Sequence, residues 1–196
     1  MRIAAILLAA GASTRMRGVD KLTEPVRGAP LLRDRAVMLS QSAVTGVFVV
    51  LPTEAPARHA ALEGLAVEIA LNPDAASGMA SSIKAGIGAL PLDTDAALIM
   101  PADMPDIEVT DIDALCAAFL QSPSCILRAS AGKTPGSPVI FPRAYFKELL
   151  RLKGDQSGRA VLKTAHTVLH HPLPADRATF DLDTPEAWAI WHQRQT

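Results

Sequence analysis

An apolar run, Ile3 to Leu8, ends abruptly at Ala9-Ala10-Gly11 and gives way to Ser13, Arg15, Gly18 and Lys21. A run with no polar member reads as a strand buried on both faces, and such strands belong to parallel sheets covered by helices. Small residues after the strand let the backbone approach a ligand closely, and their N–H groups can cradle phosphate oxygens. Arg15 and Lys21 add charge and directed donors suited to a polyphosphate. The same residues would also serve as a tight strand-to-loop turn carrying two solvated cations.

Two familiar nucleotide loops do not fit. A P-loop needs G-x-x-x-x-G-K-[ST], but Gly18 is followed by Val19 and Asp20, and Lys21 by Leu22. The dinucleotide fingerprint G-x-G-x-x-G fails because Gly11 is followed by Ala12 and Ser13. Ile3 to Ala10 is short for the apolar region of a signal peptide, and only Arg2 precedes it. A cytoplasmic protein is therefore expected.

Strand-like and helix-like segments alternate in the first half. Strands are expected at Ile3–Leu8, Val47–Leu51, Val67–Leu71 and Ala96–Met100. Helices are expected over Pro30–Ser42, Pro56–Leu62, Met79–Leu90 and Thr110–Leu120, the last capped by Thr110. The second half is less regular. Strands are expected at Cys125–Ala129, Val139–Phe141, Thr167–His171 and Thr179–Leu182, with Ala131 to Pro138 as a loop. Helices are expected at Arg143–Leu152, Arg159–Ala165 and Thr184–Gln193. The order argues for an α/β three-layer sandwich around a mostly parallel sheet. No linker interrupts the 196 residues, so a single domain over 1–196 is expected.

The net charge of −1 comes with no basic stripe, which argues against a nucleic-acid polymer as partner. No apolar run approaches the ~20 residues of a membrane span. The two cysteines, Cys116 and Cys125, lack metal-ligand spacing, and the histidines offer no zinc or nucleophile pattern. Trp188 and Trp191, at i and i+3, read as packing groups.

Three segments carry candidate chemistry. Asp103, in Pro101-Ala102-Asp103-Met104-Pro105, follows a buried strand and so falls on the ligand-bearing edge of the sheet. One carboxylate there suits Mg2+, which completes its shell with water and phosphate oxygens; a turn or cap aspartate is the alternative. Asp181 and Asp183 share one side of an extended segment, and either could join Asp103 at a metal, with Asp181 the weak preference. Asp183 or Thr184 before Pro185-Glu186 would equally cap a helix. Ser77-Gly78-Met79-Ala80-Ser81-Ser82 opens a helix, whose free N–H groups and hydroxyls could reach a ribose, base or phosphate, or could simply be capped.

In chain order these segments resemble the MobA-like nucleotidyltransferases. The matching pieces are Leu-Ala-Ala-Gly-x-Ser-x-Arg-Met from Leu8 to Met16, Lys21-Leu22, Gly78 to Gly86, Pro101 to Pro105, Gly136 to Val139, Gly154-Asp155 with Gly158-Arg159, and Asp181 to Glu186. The branch most similar is molybdenum cofactor cytidylyltransferase, since Ala10 stands where guanylyl-transferring relatives have glycine. A methyl group discriminates by only ~1–3 kcal/mol, so guanylyl transfer is the near alternative. A cytidylyl- or uridylyltransferase for a sugar or alditol phosphate, and a non-catalytic cofactor carrier, are further ones.

The resemblance implies a Rossmann-like fold, transfer of CMP from CTP to molybdopterin, and Mg2+ as cofactor. It implies that Ala9, Ala10 and Gly11 hold the nucleotide through backbone groups and that Ser82 helps to bind the nucleoside; the loop and the helix start read above add Ser13 and Gly78 as nucleotide-binding candidates. Arg15 and Lys21 would grip the triphosphate, and Asp103 would hold the metal, to which the extended segment above adds Asp181 as the candidate second carboxylate. Gly136, Ser137, Pro138, Asp155 and Arg159 would lie near the pterin. A molybdenum hydroxylase or its insertion chaperone is the expected protein partner. The chain departs from the family pattern at Arg17, between Met16 and Gly18, and at Ser137, where His or Asn is common.

Overall fold

A computed structural model describes residues 1–195. Its centre is a seven-stranded sheet in the order β5-β4-β1-β6-β8-β7-β9. Strands β1 (Ile3–Leu8), β4 (Val47–Pro52), β5 (Glu68–Asn72) and β6 (Ala96–Pro101) run parallel. β8 (Thr134–Pro142) is antiparallel to β6 and to β7 (Ile126–Ala131), and β9 (Val168–Leu173) returns parallel to β7. A two-residue hairpin, β2 (Pro25–Val26) and β3 (Ala29–Pro30), stands apart.

The period of two along β1 sorts its side chains between two cores. Ile3, Ala5 and Leu7 join the core beneath α1 (Leu31–Ser40), α2 (Pro56–Leu62), α4 (Val109–Gln121) and α7 (Pro185–Arg194). Ala4 and Ile6 join the core beneath α3 (Met79–Ala89), α5 (Phe146–Leu149) and α6 (Arg159–Thr164). Both faces are covered, as the unbroken apolar strands require, and the α/β three-layer architecture with a mostly parallel sheet is as expected. Trp188 and Trp191 pack edge to face at 6.2 Å, and Trp191 Nε1 donates to Asp106 at 2.8 Å.

The second half departs from the sequence expectation in three places. Ala131 to Pro138 is no loop. It forms the turn and first half of a β7–β8 hairpin. Pro138 falls where the register shifts between Arg128 and Ser130, which frees it from the ladder, and Pro135 pairs with Ser130 just beyond that shift. Thr179–Leu182 is not a strand: Thr179 and Phe180 N–H groups turn back onto the Asp176 carbonyl. Arg143–Leu152 is a 3-10 turn followed by a short helix rather than one continuous helix.

The cap of α4 is Glu108, not Thr110. Glu108 and Asp111 form a reciprocal capping box, each side chain accepting from the other's backbone N–H. Asp103 is thus not used as a cap. Thr184 caps α7, accepting from Ala187 N–H at 3.2 Å, which leaves Asp183 available.

Among the described residues no helix is long and apolar enough to cross a membrane.

Candidate active site

From β1 the chain crosses towards β4 on one side, while β6 lies on the other, so the carboxyl ends of β1 and β6 flank a topological switch point. Leu8 pairs with Pro101 in register, and Ala102 N–H donates to Leu8 O at 3.1 Å. The loop after β1 and the Asp103 segment therefore sit side by side. A cleft of about 880 Å³ opens over them.

At its centre is Lys21, whose side chain is 10% exposed. Its Nζ donates to Asp103 Oδ2 at 2.5 Å and also to Asp183 Oδ1. Arg15 meets the other oxygen of Asp183 at 2.5 Å, with its guanidinium open to solvent. Burial works to lower the Lys21 pKa, but the Asp103 and Asp183 carboxylates outweigh it and hold the ammonium above its ordinary value. Asp183 reaches this position because the intervening Leu182 is buried and its N–H donates to Asp103 O at 2.8 Å.

Asp181 flanks Leu182 on the other side and also faces the cleft. It has no ion-pair partner among the described residues. Burial, then the charges of Asp103 and Asp183, raise its pKa against the opposing pull of Lys21 and Arg15. Three carboxylates thus face two cations, and the surplus negative charge rests on Asp181.

The opposite wall is the start of α3. Gly78 has φ +106, and a Cβ there would meet Asp155 Oδ1 at 2.4 Å and Gly154 backbone at 2.6 Å. Ala80 N–H donates to Gly154 O at 3.1 Å, so the 154–155 turn closes over the helix start. Ser82 is buried, and Asn72 at the end of β5 donates to it at 3.1 Å and to Ser81 at 2.8 Å.

Ala10, Gly11, Ser13, Arg15, Lys21, Gly78, Ser82, Asp103, Asp181, Gly136, Ser137, Asp155 and Arg159 all line this one cleft. Ala9 and Pro138 do not. Ala9 is buried, its N–H donating to Val50 O at 3.0 Å and its carbonyl accepting from Arg58, so neither backbone group is free for a ligand. Pro138 is buried behind Ser137. The Ser13 hydroxyl is turned onto Asp20 at 3.2 Å.

Gly136 is pressed against the backbone. A Cβ there would lie 1.9 Å from Ala178 O, which already accepts from Ser137 N–H at 2.8 Å. Gly136→Ala is expected to force the two segments apart and to cost about 2 kcal/mol or more of stability, read as a lower urea midpoint at unchanged m. An unchanged midpoint would mean that the 134–138 segment yields freely.

Two residues that sequence reasoning passed over organise the site. Arg58, buried on α2, donates to Ala9 O at 2.6 Å, Gly11 O at 2.8 Å and both oxygens of Asp20 at 2.7 and 2.9 Å. Two of its acceptors are backbone carbonyls, which leave no trace in a sequence. Arg128 lines the cleft from β7. The signal was present in its case: a lone arginine within the apolar run Cys125–Ala129.

Among solved structures, Rv0371c from Mycobacterium tuberculosis H37Rv is similar over 98% of this chain and 99% of its own, at 22% identity and TM-score 0.83. The same protein in complex with manganese aligns at TM-score 0.81, with 21% identity and 97% of each chain covered. CMP:2-keto-3-deoxy-manno-octonic acid synthetase complexed with CTP aligns at TM-score 0.76 and 12% identity, over 99% of this chain and all of its own. Molybdopterin-guanine dinucleotide biosynthesis protein A from Archaeoglobus fulgidus aligns at TM-score 0.72 and 16% identity, over 100% of this chain and 98% of its own. At these identities the likeness is one of fold. No curated protein matches the chain in sequence. The family model for the MobA-like NTP transferase domain matches residues 5–171, and the chain belongs to that family of nucleotidyltransferases.

Proposed function

We propose that the protein transfers CMP from CTP to the terminal phosphate of molybdopterin carrying molybdenum, releasing pyrophosphate and forming molybdopterin cytosine dinucleotide. The observation that carries this reading is Lys21 set between Asp103 and Asp183 at the adjoining ends of β1 and β6, beside the small-residue loop. A cation at that point, with Arg15 next to it, suits a triphosphate laid along the loop. Ala10 on the cleft wall supports cytidylyl over guanylyl transfer.

An acceptor phosphate oxygen attacks the α-phosphorus of CTP, a new P–O bond forms, and the bond to the β-phosphate oxygen breaks. The attacking oxygen is already ionised near neutral pH, so no side chain need remove a proton from it. Alignment of two anions and neutralisation of their charge are the main tasks. Lys21 and Arg15 stabilise the charge that builds on the leaving pyrophosphate. The nucleoside rests against Ser82, and the acceptor lies towards Gly136, Ser137, Asp155 and Arg159.

The residues fit a divalent cation. Among the described residues no group of three His, Cys, Asp or Glu side chains is close enough to form an all-protein metal cage. Mg2+ needs no such cage, because one or two carboxylates and phosphate oxygens suffice. Asp103 and Asp181 would hold it, and Asp181 supplies the uncompensated charge. When bound, the ion would supply Lewis-acid polarisation and neutralise phosphate charge.

Asp181 gives a test with two readouts. Its pKa is raised, so ionising it destabilises the fold. That cost is absent below the ordinary aspartate range near pH ~4 and grows as pH rises through the folded-state value. Asp181→Asn is therefore expected to raise the melting temperature at pH 7 without divalent ions, to abolish further stabilisation by Mg2+ or Mn2+, and to lower turnover. A variant melting below wild type at pH 7, or still stabilised by metal, would remove Asp181 from the metal site.

The function is tested by pyrophosphate release from CTP and, separately, GTP, with Mg2+ and molybdenum-loaded molybdopterin. Release with CTP is expected. Release with GTP alone would keep the reaction and overturn the base specificity, and silence with both would overturn the acceptor.

A further inference from the structure

We propose that Arg128 and Arg159 form a two-guanidinium seat for an anionic group of the acceptor substrate, across the cleft from the Lys21 cluster. The proposal rests on the group-transfer reading above, in which that group is the acceptor's phosphate.

Register places Arg128. It pairs with Val139 on β8, which pairs with Ile99 on β6. All three side chains line the cleft, so Arg128 is the charged end of a row that is otherwise apolar. β7 lies two strands from β6, roughly 10 Å away, and one strand further from β1 and its triphosphate loop. The cleft therefore has cationic groups on two flanks: Lys21 and Arg15 after β1, Arg128 and Arg159 over β7 and at the start of α6.

The arginines of the second flank lack counter-ions. Arg128 donates from Nε to Gly136 O at 2.8 Å and from Nη2 to Pro135 O at 3.3 Å, and these bonds orient its plane. Neither arginine has an ion-pair partner among the described residues, in contrast to Arg15, Arg58 and Lys21. Asp155 is the nearby carboxylate by sequence, but it is packed against Gly78 on the nucleotide wall and pairs with neither. Burial first, and then the charge of Arg159, hold Arg128 below the ordinary arginine range.

Two guanidinium groups that line one cleft, with no carboxylate paired to either, have charge and directed donors to offer an anionic ligand. A guanidinium with its Nε already bonded keeps further N–H donors for a planar, multidentate contact with phosphate. Transfer between two anions requires each to be held separately. The flank beyond β6 is free to take the second, because the triphosphate cations stand on the first.

The test uses inorganic phosphate as probe, with the protein saturated by α,β-methylene-CTP and Mg2+ so that the nucleotide flank is filled. Calorimetric titration compares wild type with Arg128→Gln, Arg159→Gln and the double variant. Each single change is expected to weaken phosphate binding about tenfold while the affinity for the CTP analogue changes less than about twofold. Arg159 is exposed, so its variant remains informative even if Arg128→Gln folds poorly.

Undiminished phosphate binding in both single variants, no phosphate binding by wild type, or a parallel loss of analogue affinity would each overturn the proposal. Failure of the wider reading looks different. Phosphate binding that depends on the two arginines, together with no pyrophosphate release on molybdopterin, would keep the seat and reject that acceptor. Turnover on molybdopterin with an unchanged acceptor KM in both variants would keep the function and reject the seat.

Discussion

Lys21→Met is expected to lower kcat by a hundred- to a thousandfold, the loss typical when one preorganised group that stabilises developing charge is removed. The substitution keeps an unbranched side chain of similar length, so the space between Asp103 and Asp183 stays filled. The fold should survive, because Asp183 retains Arg15 and neither carboxylate is fully enclosed. The effect should fall on kcat more than on KM for CTP, since in the proposed reaction the charge that Lys21 meets grows as pyrophosphate leaves.

The pH dependence has a definite sign. A lysine held above its ordinary pKa contributes its pairing energy fully below the unfolded value near ~10.4 and loses it as pH rises through the folded value. Lys21 should thus stay charged from pH 6 to 9, and no fall in wild-type kcat across that range should trace to its deprotonation. Turnover in Lys21→Met above about one tenth of wild type would make Lys21 a brace between two carboxylates and not a group that acts on phosphate.

What was legible before the structure follows from which interactions leave local marks. Strands β1, β4 and β6 are buried on both faces, so their composition alone identifies them. Their carboxyl ends fix where a ligand must lie, which is why Lys21 and Asp103, 82 positions apart, were named separately and prove adjacent. The second half carries weaker marks. Pro135 and Pro138 read as loop residues because proline cannot donate to a ladder, yet a bulge opens the ladder beside them. Thr179–Leu182 alternates like a strand, but its bonds close locally onto Asp176 and reach Asp103 through Leu182 alone. Thr110 is a better cap by type than Glu108, and loses because Asp111 can reciprocate only with the residue three before it. Asp183, the weaker preference of the two aspartates, is the one bonded to Lys21, a pairing fixed by tertiary contact.

Arg58→Met is expected to cost about 3 kcal/mol of stability and, separately, to raise KM for CTP. Removing the guanidinium leaves Ala9 O, Gly11 O and the Asp20 carboxylate without their buried donor. Burial works to raise the Asp20 pKa, and the Arg58 contact outweighs it and holds the carboxyl below its usual value. Without Arg58 that carboxylate loses its counter-ion, so the stability deficit should shrink as pH falls and Asp20 is protonated.

The affinity effect has a geometric origin. In a planar trans peptide the C=O of one residue and the N–H of the next point in opposite directions. By holding the Ala9 and Gly11 carbonyls, Arg58 turns the Ala10 and Ala12 N–H groups away from itself, on residues that line the cleft. Arg58→Lys separates the two effects. A single ammonium can meet Asp20 and recover part of the stability, but it cannot span both carbonyls in a fixed plane, so KM should remain raised. A lysine variant with wild-type KM for CTP would show that charge alone, and not the bracing of the loop carbonyls, is what the site takes from Arg58.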